Sequence, residues 1–363
     1  MAEVLAGPIL VHGPRVQTFE TAFAEFAGGG HAVALASCTA ALHLAYFHLG
    51  LGPGDELVVP AQTHVATAHA VELVGARPVF VDAEPATGNI DLDRLAGAIT
   101  SRTRAISVVH YLGRPVDMVR VNDLARRHGL FVVEDAALGL GTRLDGSHAG
   151  LMGDVGCFSF YPVKHMTTAE GGMLLTRHAD LAEGIRAERA FGLDRTVTER
   201  SEPGIYDVTA LGLNYRMNEL AAALGLVQLG RVPDFLSVRA ENYARLGAGL
   251  AKLDELTLLA PTDPRMTHSH YCLVALLAGR VAGRRADVVR SLKAQGVGSS
   301  VYYPGPLPLM TYYRKKYGHR PGEFPVAEAI SQRSIALPVG PHLDGDDMDA
   351  IVAAMKKAIN DVP

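Results

Sequence analysis

The chain has 363 residues, enough for about two domains, and its 48% hydrophobic and 20% charged content is typical of a globular protein with a sizeable core. The formal net charge is -4, and no basic patch with interleaved aromatic residues is present, which argues against a nucleic-acid partner. The three cysteines are widely spaced and odd in number, which argues against a disulfide framework, an iron–sulfur cluster or a structural zinc site; they are Cys38, Cys157 and Cys272.

The beginning of the sequence, MAEVLAGPILV, lacks the basic residues and the long apolar core of a signal peptide. No apolar run reaches the roughly 18 residues that a membrane-spanning helix needs. From these two observations we expect a cytoplasmic protein without a membrane partner.

After a helical pattern over 17–26, short apolar runs alternate with longer amphipathic ones as far as residue 135. Strands are predicted at HAVALA, ELVVP, RPVFVD, AISVVH and LFVVED. Helices are predicted between them at 39–49, 64–74, 91–99 and 118–128. This alternation, with strands that are apolar almost throughout, predicts an α/β fold whose mostly parallel sheet is covered on both faces.

The pattern changes after residue 194. Residues 194–207 are polar, rich in breakers and without periodicity, which is typical of a surface connection or of a loop over a site. A helix is predicted from about Asn218, and the charged stretch 231–245 indicates a long connecting helix.

Mixed strand and helix patterns follow from about Leu256, and the chain ends in an amphipathic helix over 346–359. We therefore predict two domains. The large one covers 1–240, and a smaller C-terminal α+β domain covers 241–363.

Polar residues collect where the predicted strands end, and ligands of such sheets bind at these carboxyl ends. The residues there are Ser37, Thr39, Asp82, His110, Glu134 and Asp135. Asp135 ends an apolar strand, and a buried carboxylate is costly unless a positive group faces it. The protonated ring nitrogen of pyridoxal phosphate (PLP) would be such a group. The alternative is an acidic helix cap.

A single lysine, Lys164, lies in the stretch FSFYPVKHMTTAEGGMLLT, between two predicted sheet segments. Dehydration at such a position lowers the pKa of the amine, which can then attack carbonyls and form Schiff bases. Taken alone, the stretch also fits an ordinary surface lysine in a hairpin loop.

Polar residues at two predicted helix starts and before Lys164 are candidates for contacts with a cofactor. Ser37 and Thr39 open a helix directly after a strand, where free backbone amides and the helix dipole favour a phosphate. Ser159, five residues before Lys164, is a second candidate for a phosphate contact. His64 begins the next helix and could lie flat against a cofactor ring, although a capping role is the commoner one.

Four motifs occur in order along the chain, and they are SCTAALHLA, VVEDAALGLG, FSFYPVKHMTTAEGG and GLNYRMNELAAALGLVQL. Together with HYLGRPVDM and VYYPGPLPL they make nearly the whole chain resemble the DegT/DnrJ-type sugar aminotransferases of PLP-dependent fold type I. The resemblance implies a large domain with a mostly parallel sheet, a smaller C-terminal domain, and PLP as cofactor, with pyridoxamine phosphate formed in the half-reaction.

The resemblance also implies roles for individual residues. Lys164 matches the Schiff-base lysine, and Asp135 matches the partner of the ring nitrogen. The phosphate-binding positions are matched by Thr39, Ala40 and Ser159. Asn214 matches an asparagine that reaches the phosphate of the neighbouring subunit, because family members are homodimers with shared active sites.

Several residues depart from the family pattern. His64 stands where a larger aromatic residue often stacks on the ring, and Cys38 stands where glycine is usual. Leu138 replaces a glutamine or histidine, which puts in doubt a polar contact near the ring hydroxyl. His165, next to the lysine, is often asparagine.

The predicted function is transfer of an amino group from glutamate to a keto sugar, most simply a nucleotide-linked one. Candidate substrate-binding residues are Arg216, Tyr302 and Tyr303. The basic run Arg314-Lys315-Lys316 could also bind a diphosphate, but a solvated surface turn explains it better.

Three alternatives remain at this point. An aminocyclitol aminotransferase would act on a similar ketone with the same motifs. A PLP-dependent sugar dehydratase typically has histidine in place of the lysine, and a non-catalytic sensor would not need Lys164 and Asp135 together.

Overall fold

The computed structural model describes residues 1–194, 202, 205–259 and 263–362. Most of the irregular stretch predicted at 194–207 therefore lies outside the described residues. The strands are β1 (His31–Leu35), β2 (Glu56–Pro60), β3 (Arg77–Val81), β4 (Thr103–Val109), β5 (Phe131–Asp135), β6 (Arg143–Leu144), β7 (Ser147–His148), β8 (Val155–Ser159), β9 (Gly172–Thr176), β10 (Leu256–Leu258), β11 (Met266–Thr267), β12 (Leu273–Leu277) and β13 (Ser334–Leu337).

The main sheet of the described chain has seven strands in the order β1-β9-β8-β5-β4-β2-β3. Neighbours from β8 to β3 run parallel, whereas β9 is antiparallel to both β1 and β8. Every residue of β2 and β9 is buried, because helices cover both faces of the sheet. The prediction of a mostly parallel α/β sheet is confirmed.

The helices follow the predicted periodicity closely. They are α1 (Ala2–Ala6), α2 (Pro14–Ala27), α3 (Cys38–His48), α4 (Val65–Leu73), α5 (Leu92–Leu95), α6 (Met118–His128), α7 (Ala179–Glu188), α8 (Glu219–Leu229), α9 (Val232–Leu250), α10 (Arg285–Ala294), α11 (Thr311–Tyr317), α12 (Pro325–Arg333) and α13 (Gly345–Asn360). The helix predicted over 91–99 is shorter, because α5 gives way to a 3-10 turn that contains the poor helix former Gly97. None of the described helices is both long and apolar enough to cross a membrane.

The C-terminal part of the chain builds its own small sheet, in the order β10-β12-β13, with antiparallel neighbours. The buried apolar core beside this sheet includes Leu246, Leu250, Leu273, Leu292, Leu337 and Met355, which come from α9, α10, α13 and the strands. The domain boundary predicted between residues 240 and 241 falls inside α9. One continuous helix therefore joins the N-terminal and C-terminal parts.

The two parts are also joined by polar contacts on α4 and at the end of β3. His69 and the Tyr313 hydroxyl share a hydrogen bond of 2.6 Å, and the Tyr317 hydroxyl donates to Glu72 over 2.5 Å. Asp82 does not line the cavity that holds Lys164. Its carboxylate instead accepts the backbone N–H groups that open α12, from Val326 at 3.1 Å and Ala327 at 2.9 Å.

The contact of Asp82 with α12 yields a stability prediction. Asp82→Ala should destabilise the fold by about 1–2 kcal/mol, because two first-turn amides lose their acceptor and the helix dipole loses its counter-charge. The midpoint of thermal unfolding, followed by circular dichroism, should fall measurably. Asp82→Asn keeps an acceptor oxygen and should lose less. An Asp82→Ala protein as stable as the wild type would contradict this capping role.

Candidate active site

A cavity of about 390 Å³ opens at the carboxyl ends of β5 and β8, beside the starts of α3 and α4. Seven residues that the sequence predicted for the site line it, and they are Thr39, His64, Asp135, Leu138, Ser159, Lys164 and Tyr303. Its volume lies in the range usual for small-molecule sites. The fold therefore brings most of the predicted residues to one place.

Asp135 ends β5 and is 4% exposed. Its Oδ2 accepts the hydroxyl of Thr67 at 2.7 Å, and its Oδ1 accepts the backbone N–H of Ala137 at 3.1 Å. Thr67 in turn lies 2.7 Å from the hydroxyl of Thr63. Neutral donors thus hold the carboxylate, and no cation among the described residues forms a salt bridge with it.

Lys164 lies in the loop after β8, where its backbone N–H donates to the carbonyl of Tyr161 at 2.9 Å. Its ammonium lies 5.6 Å from the ring centre of Tyr271. Burial lowers the pKa of Lys164, and the nearby negative charge of Asp135 partly opposes this. Cys38 contributes no charge at neutral pH, because burial raises the pKa of its thiol well above the usual range. The Lys164 amine is therefore easier to deprotonate than that of an ordinary lysine.

The start of α3 approaches the sheet closely. A side chain at Gly172 would lie 2.4 Å from the backbone of Ser37, so this approach requires glycine. Ser37 caps the helix, and its hydroxyl accepts the N–H of Ala40 at 3.1 Å. The first-turn amides of Cys38 and Thr39 have no partner within the helix. Together with the hydroxyl of Thr39 they are groups that can bind an anion.

Ala40 does not line the cavity, and its N–H is engaged by Ser37. Its expected phosphate contact would require this capping bond to give way. Ser159 does line the cavity, and the N–H of Tyr161 lies 3.5 Å from its hydroxyl. Ser159 is thus better placed than Ala40 to bind a phosphate.

His64 caps α4, since its Nδ1 accepts the N–H of Ala66 at 3.2 Å. Desolvation lowers the pKa of His64, which leaves Nδ1 free to accept. Its ring centre lies 5.9 Å from that of Tyr303. Leu138 is 3% exposed and presents only apolar atoms to the cavity. The wall at Leu138 therefore offers no side-chain polar partner.

Tyr302 faces a neighbouring cleft of about 900 Å³, which Lys164 and Tyr271 also line. The hydroxyls of Tyr302 and Tyr271 lie 2.9 Å apart. The backbone carbonyl of Tyr302 accepts hydrogen bonds from Tyr111 and from Gln62. These contacts fix the segment that carries Tyr303 into the cavity.

Asn214 and Arg216 do not line the cavity of their own chain. Asn214 is exposed and forms an isolated bridge with Ala190. Arg216 faces a separate groove of about 960 Å³, where its guanidinium lies 5.0 Å from the ring of Phe191 and 3.3 Å from Nε2 of His12. These two residues are thus separated from Lys164 within one chain.

The basic run at 314–316 lies in α11, is exposed, and does not line the cavity. Lys316 forms a salt bridge with Glu72. The explanation as a solvated surface segment therefore fits the structure better than diphosphate binding.

Three residues around the site were missed from the sequence. Thr67 follows His64 by one helical turn, so the spacing of the two could have indicated a shared face. Thr63 precedes the helix and carries no distinctive motif. Tyr271 comes from the C-terminal part of the chain, and no local pattern connects it to Lys164.

The residues present fit PLP. A partly buried lysine amine with a lowered pKa can carry an aldehyde. A buried carboxylate that has no cationic partner among the described residues can face a ring nitrogen. Hydroxyls and free helix amides can bind a phosphate. All three kinds of group line the same cavity.

Comparison with known proteins gives the family. The sequence profile of the DegT/DnrJ/EryC1/StrS aminotransferase family matches residues 1–356. The GDP-perosamine synthase of Caulobacter vibrioides is 36% identical, over 96% of this chain and 91% of that protein.

Two solved structures extend the comparison. DesV from S. venezuelae has a TM-score of 0.92 and 33% identity, covering 100% of this chain and 94% of that one. Helicobacter pylori PseC, an aminotransferase involved in the biosynthesis of pseudoaminic acid, has a TM-score of 0.91 and 28% identity, covering 99% and 95%. The chain therefore belongs to the DegT/DnrJ/EryC1/StrS aminotransferase family and is a PLP-dependent aminotransferase of fold type I.

Proposed function

We propose that this aminotransferase moves an amino group from glutamate to the ketone of a nucleotide-linked sugar. The observation that carries the proposal is the pairing of a partly buried lysine amine, Lys164, with a buried carboxylate, Asp135, in one cavity. The named relatives support a sugar substrate, since one is a GDP-perosamine synthase and another acts in pseudoaminic acid biosynthesis. A lysine rather than a histidine at position 164 argues against a dehydratase.

In this proposal each residue has a defined task. Asp135 holds the ring nitrogen of the cofactor, and Ser159, Thr39 and the free amides of α3 hold its phosphate. Bound PLP supplies an electron sink for the charge that develops at the substrate carbon. Lys164 attaches the cofactor, and its Nζ removes and returns the proton as general base and acid. The lowered pKa of Lys164 makes its amine available as a base at a lower pH than the amine of an ordinary lysine.

The test of this function is a substrate panel. Wild-type protein should form 2-oxoglutarate from glutamate and aminate nucleotide-linked keto sugars in preference to free keto sugars and keto-inositols. Lys164→Ala should abolish both reactions, because no amine remains to attach the cofactor or move the proton. Borohydride treatment followed by mass spectrometry should fix PLP to Lys164 in the wild type and not in the variant.

Lys293→Ala is the matched control, since Lys293 is exposed on α10, and it should keep full activity. Glutamate-dependent turnover by the Lys164→Ala protein would rule out the role of Lys164. A preference for keto-inositols over every nucleotide sugar would instead replace the proposed substrate by an aminocyclitol precursor.

The electrostatics of the cavity yield a pH prediction for the cofactor-free protein. Burial lowers the pKa of Lys164, so it should react with acetic anhydride at a lower pH than other lysines. Asp135→Asn should lower this pKa further, because it removes a negative charge that stabilises the ammonium. Competitive labelling across pH, read by mass spectrometry, measures both effects.

Lys316 provides the internal reference for the labelling experiment. Its hydrogen bond to Glu72 raises the pKa of Lys316 above that of an ordinary lysine, so it should become reactive only at higher pH. If Lys164 and Lys316 titrated together, Lys164 would not be desolvated as the cavity requires.

We also propose that each active site is built from two chains, with Asn214 and Arg216 of one chain serving the cavity of the other. Neither residue reaches the Lys164 of its own chain. Large apolar side chains close in sequence to Lys164, and others close to Phe191 and Asn214, are exposed in the single chain. They are Tyr161 (48%), Val163 (57%), Phe191 (45%) and Leu211 (74%). A homodimer interface that buries these side chains would bring Asn214 and Arg216 of one chain close to Lys164 of the other.

A mixing experiment tests the shared site. Lys164→Ala and Asn214→Asp chains should each be poor enzymes as homodimers. In the isolated mixed dimer one site would carry both changes and the other neither, so activity should return to about half of wild type. A mixed dimer of Lys164→Ala with Asp135→Asn should stay inactive, because each site then carries one change. Equal inactivity of both mixed dimers, with dimerisation intact, would refute the shared site.

A further inference from the structure

Three side chains form a short hydrogen-bonded series at the wall of the cavity. The hydroxyls of Thr63 and Thr67 lie 2.7 Å apart, and the Thr67 hydroxyl lies 2.7 Å from Oδ2 of Asp135. All three residues are buried, with exposures of 2%, 0% and 4%. One oxygen of the carboxylate is thus bonded to a fully buried hydroxyl.

Chemistry fixes the direction of this series. An ionised carboxylate accepts hydrogen bonds and donates none, so Thr67 must give its single hydroxyl proton to Asp135. Thr67 can then only accept from Thr63, and Thr63 must donate. Both hydroxyl dipoles therefore point their positive ends towards the carboxylate, and a series of this kind polarises along its length.

We propose that Thr67, supported by Thr63, is a positioning residue that orients the Asp135 carboxylate towards a cofactor ring nitrogen. The inference rests on the proposed function, since it takes Asp135 as the partner of that nitrogen. The Ala137 N–H holds Oδ1 from the backbone, and Thr67 holds Oδ2 from α4. The plane of the carboxylate is therefore set by two different elements.

Thr67 lies in the first turn of α4, so it also affects the position of the other residues of that turn. His64 caps the same helix turn and lines the cavity. A shift of the first turn of α4 would consequently move a cavity wall and the donor to Asp135 together. The hydrogen bond from the Thr67 hydroxyl to Asp135 connects this turn to the end of β5. It should keep the first turn of α4 and the end of β5 in the same relative position when a ligand binds.

Valine and serine substitutions at Thr67 distinguish the effect of its hydroxyl group from the effect of its side-chain volume. Thr67→Val keeps the volume and removes the donor, whereas Thr67→Ser keeps the donor. Thr67→Val should weaken PLP binding to the cofactor-free protein by about 10- to 100-fold, the loss typical of a hydrogen bond to a charged group. Thr67→Ser should remain within about 3-fold of wild type, because the hydrogen bond is kept. Titration with PLP, followed by its absorbance, measures the dissociation constant.

Kinetics of the glutamate half-reaction give a second measurement. Thr67→Val should lower kcat by at least about 10-fold and leave the KM for glutamate nearly unchanged, since a donor to the charged group is lost while glutamate contacts remain. Thr63→Val should have a smaller effect of the same kind, because it acts through Thr67.

Thr176→Val is the matched control. Thr176 is also fully buried, and its hydroxyl donates to the backbone carbonyl of Asp154 at 2.6 Å, away from the cavity. This variant reports the general cost of losing a buried hydroxyl, and it should leave PLP affinity and kcat unchanged.

The outcomes separate this inference from the proposed function. If Asp135→Asn impairs PLP binding and turnover but Thr67→Val matches the wild type, the inference fails and the function stands. If Asp135→Asn also matches the wild type, the proposed role of Asp135 itself fails. Loss of affinity in Thr67→Val without rescue in Thr67→Ser would mean that Thr67 acts by packing, which overturns the positioning role.

Discussion

The fold and the site both depend on two adjacent buried carboxylates, Glu134 and Asp135, at the end of β5. Successive side chains of a strand point to opposite faces of the sheet, so the two charges lie in different surroundings. Glu134 bonds to His110 at 2.8 Å and to the N–H groups of Met152 and Gly153. Burial would raise the pKa of Glu134, but the bonds from His110 and Gly153 outweigh it and lower the pKa. Glu134 is thereby satisfied within the protein, and it holds the end of the strand so that Asp135 faces the cavity.

The C-terminal part of the chain completes the site rather than merely flanking it. Tyr303 enters the cavity, and Tyr271 lies against Lys164. Tyr302 precedes Tyr303 and shares a hydrogen bond with Tyr271, and its backbone carbonyl accepts hydrogen bonds from Tyr111 and Gln62 of the N-terminal part. One set of interactions therefore fixes the relative placement of the two parts and the lining of the site.

The residues predicted correctly from the sequence are those whose surroundings are local. The alternating pattern places Asp135 at a strand end and Lys164 between sheet segments, and neither inference needs distant contacts. Ala40 is expected at the cavity but does not line it, and its N–H is bonded to the Ser37 hydroxyl, a contact that the sequence pattern does not reveal. Tyr271 lies more than a hundred positions from Lys164 in sequence, and Asn214 does not line the cavity of its own chain, so no local pattern could connect either residue to the site.

The antiparallel position of β9 bears on how the protein is made. β1 lies at the sheet edge and pairs with β9, with His31 opposite Thr176, so 145 positions separate the paired residues (176 minus 31). Pairings this distant in sequence form slowly, since a long loop must close first. During synthesis β1 cannot pair until β9 has been made, and the segment that carries Lys164 lies between β8 and β9, directly before β9 in the chain. The sheet beside Lys164 is therefore closed only when β9 pairs with β1, and Tyr271 and Tyr303, which follow later in the chain, complete the lining of the site after that.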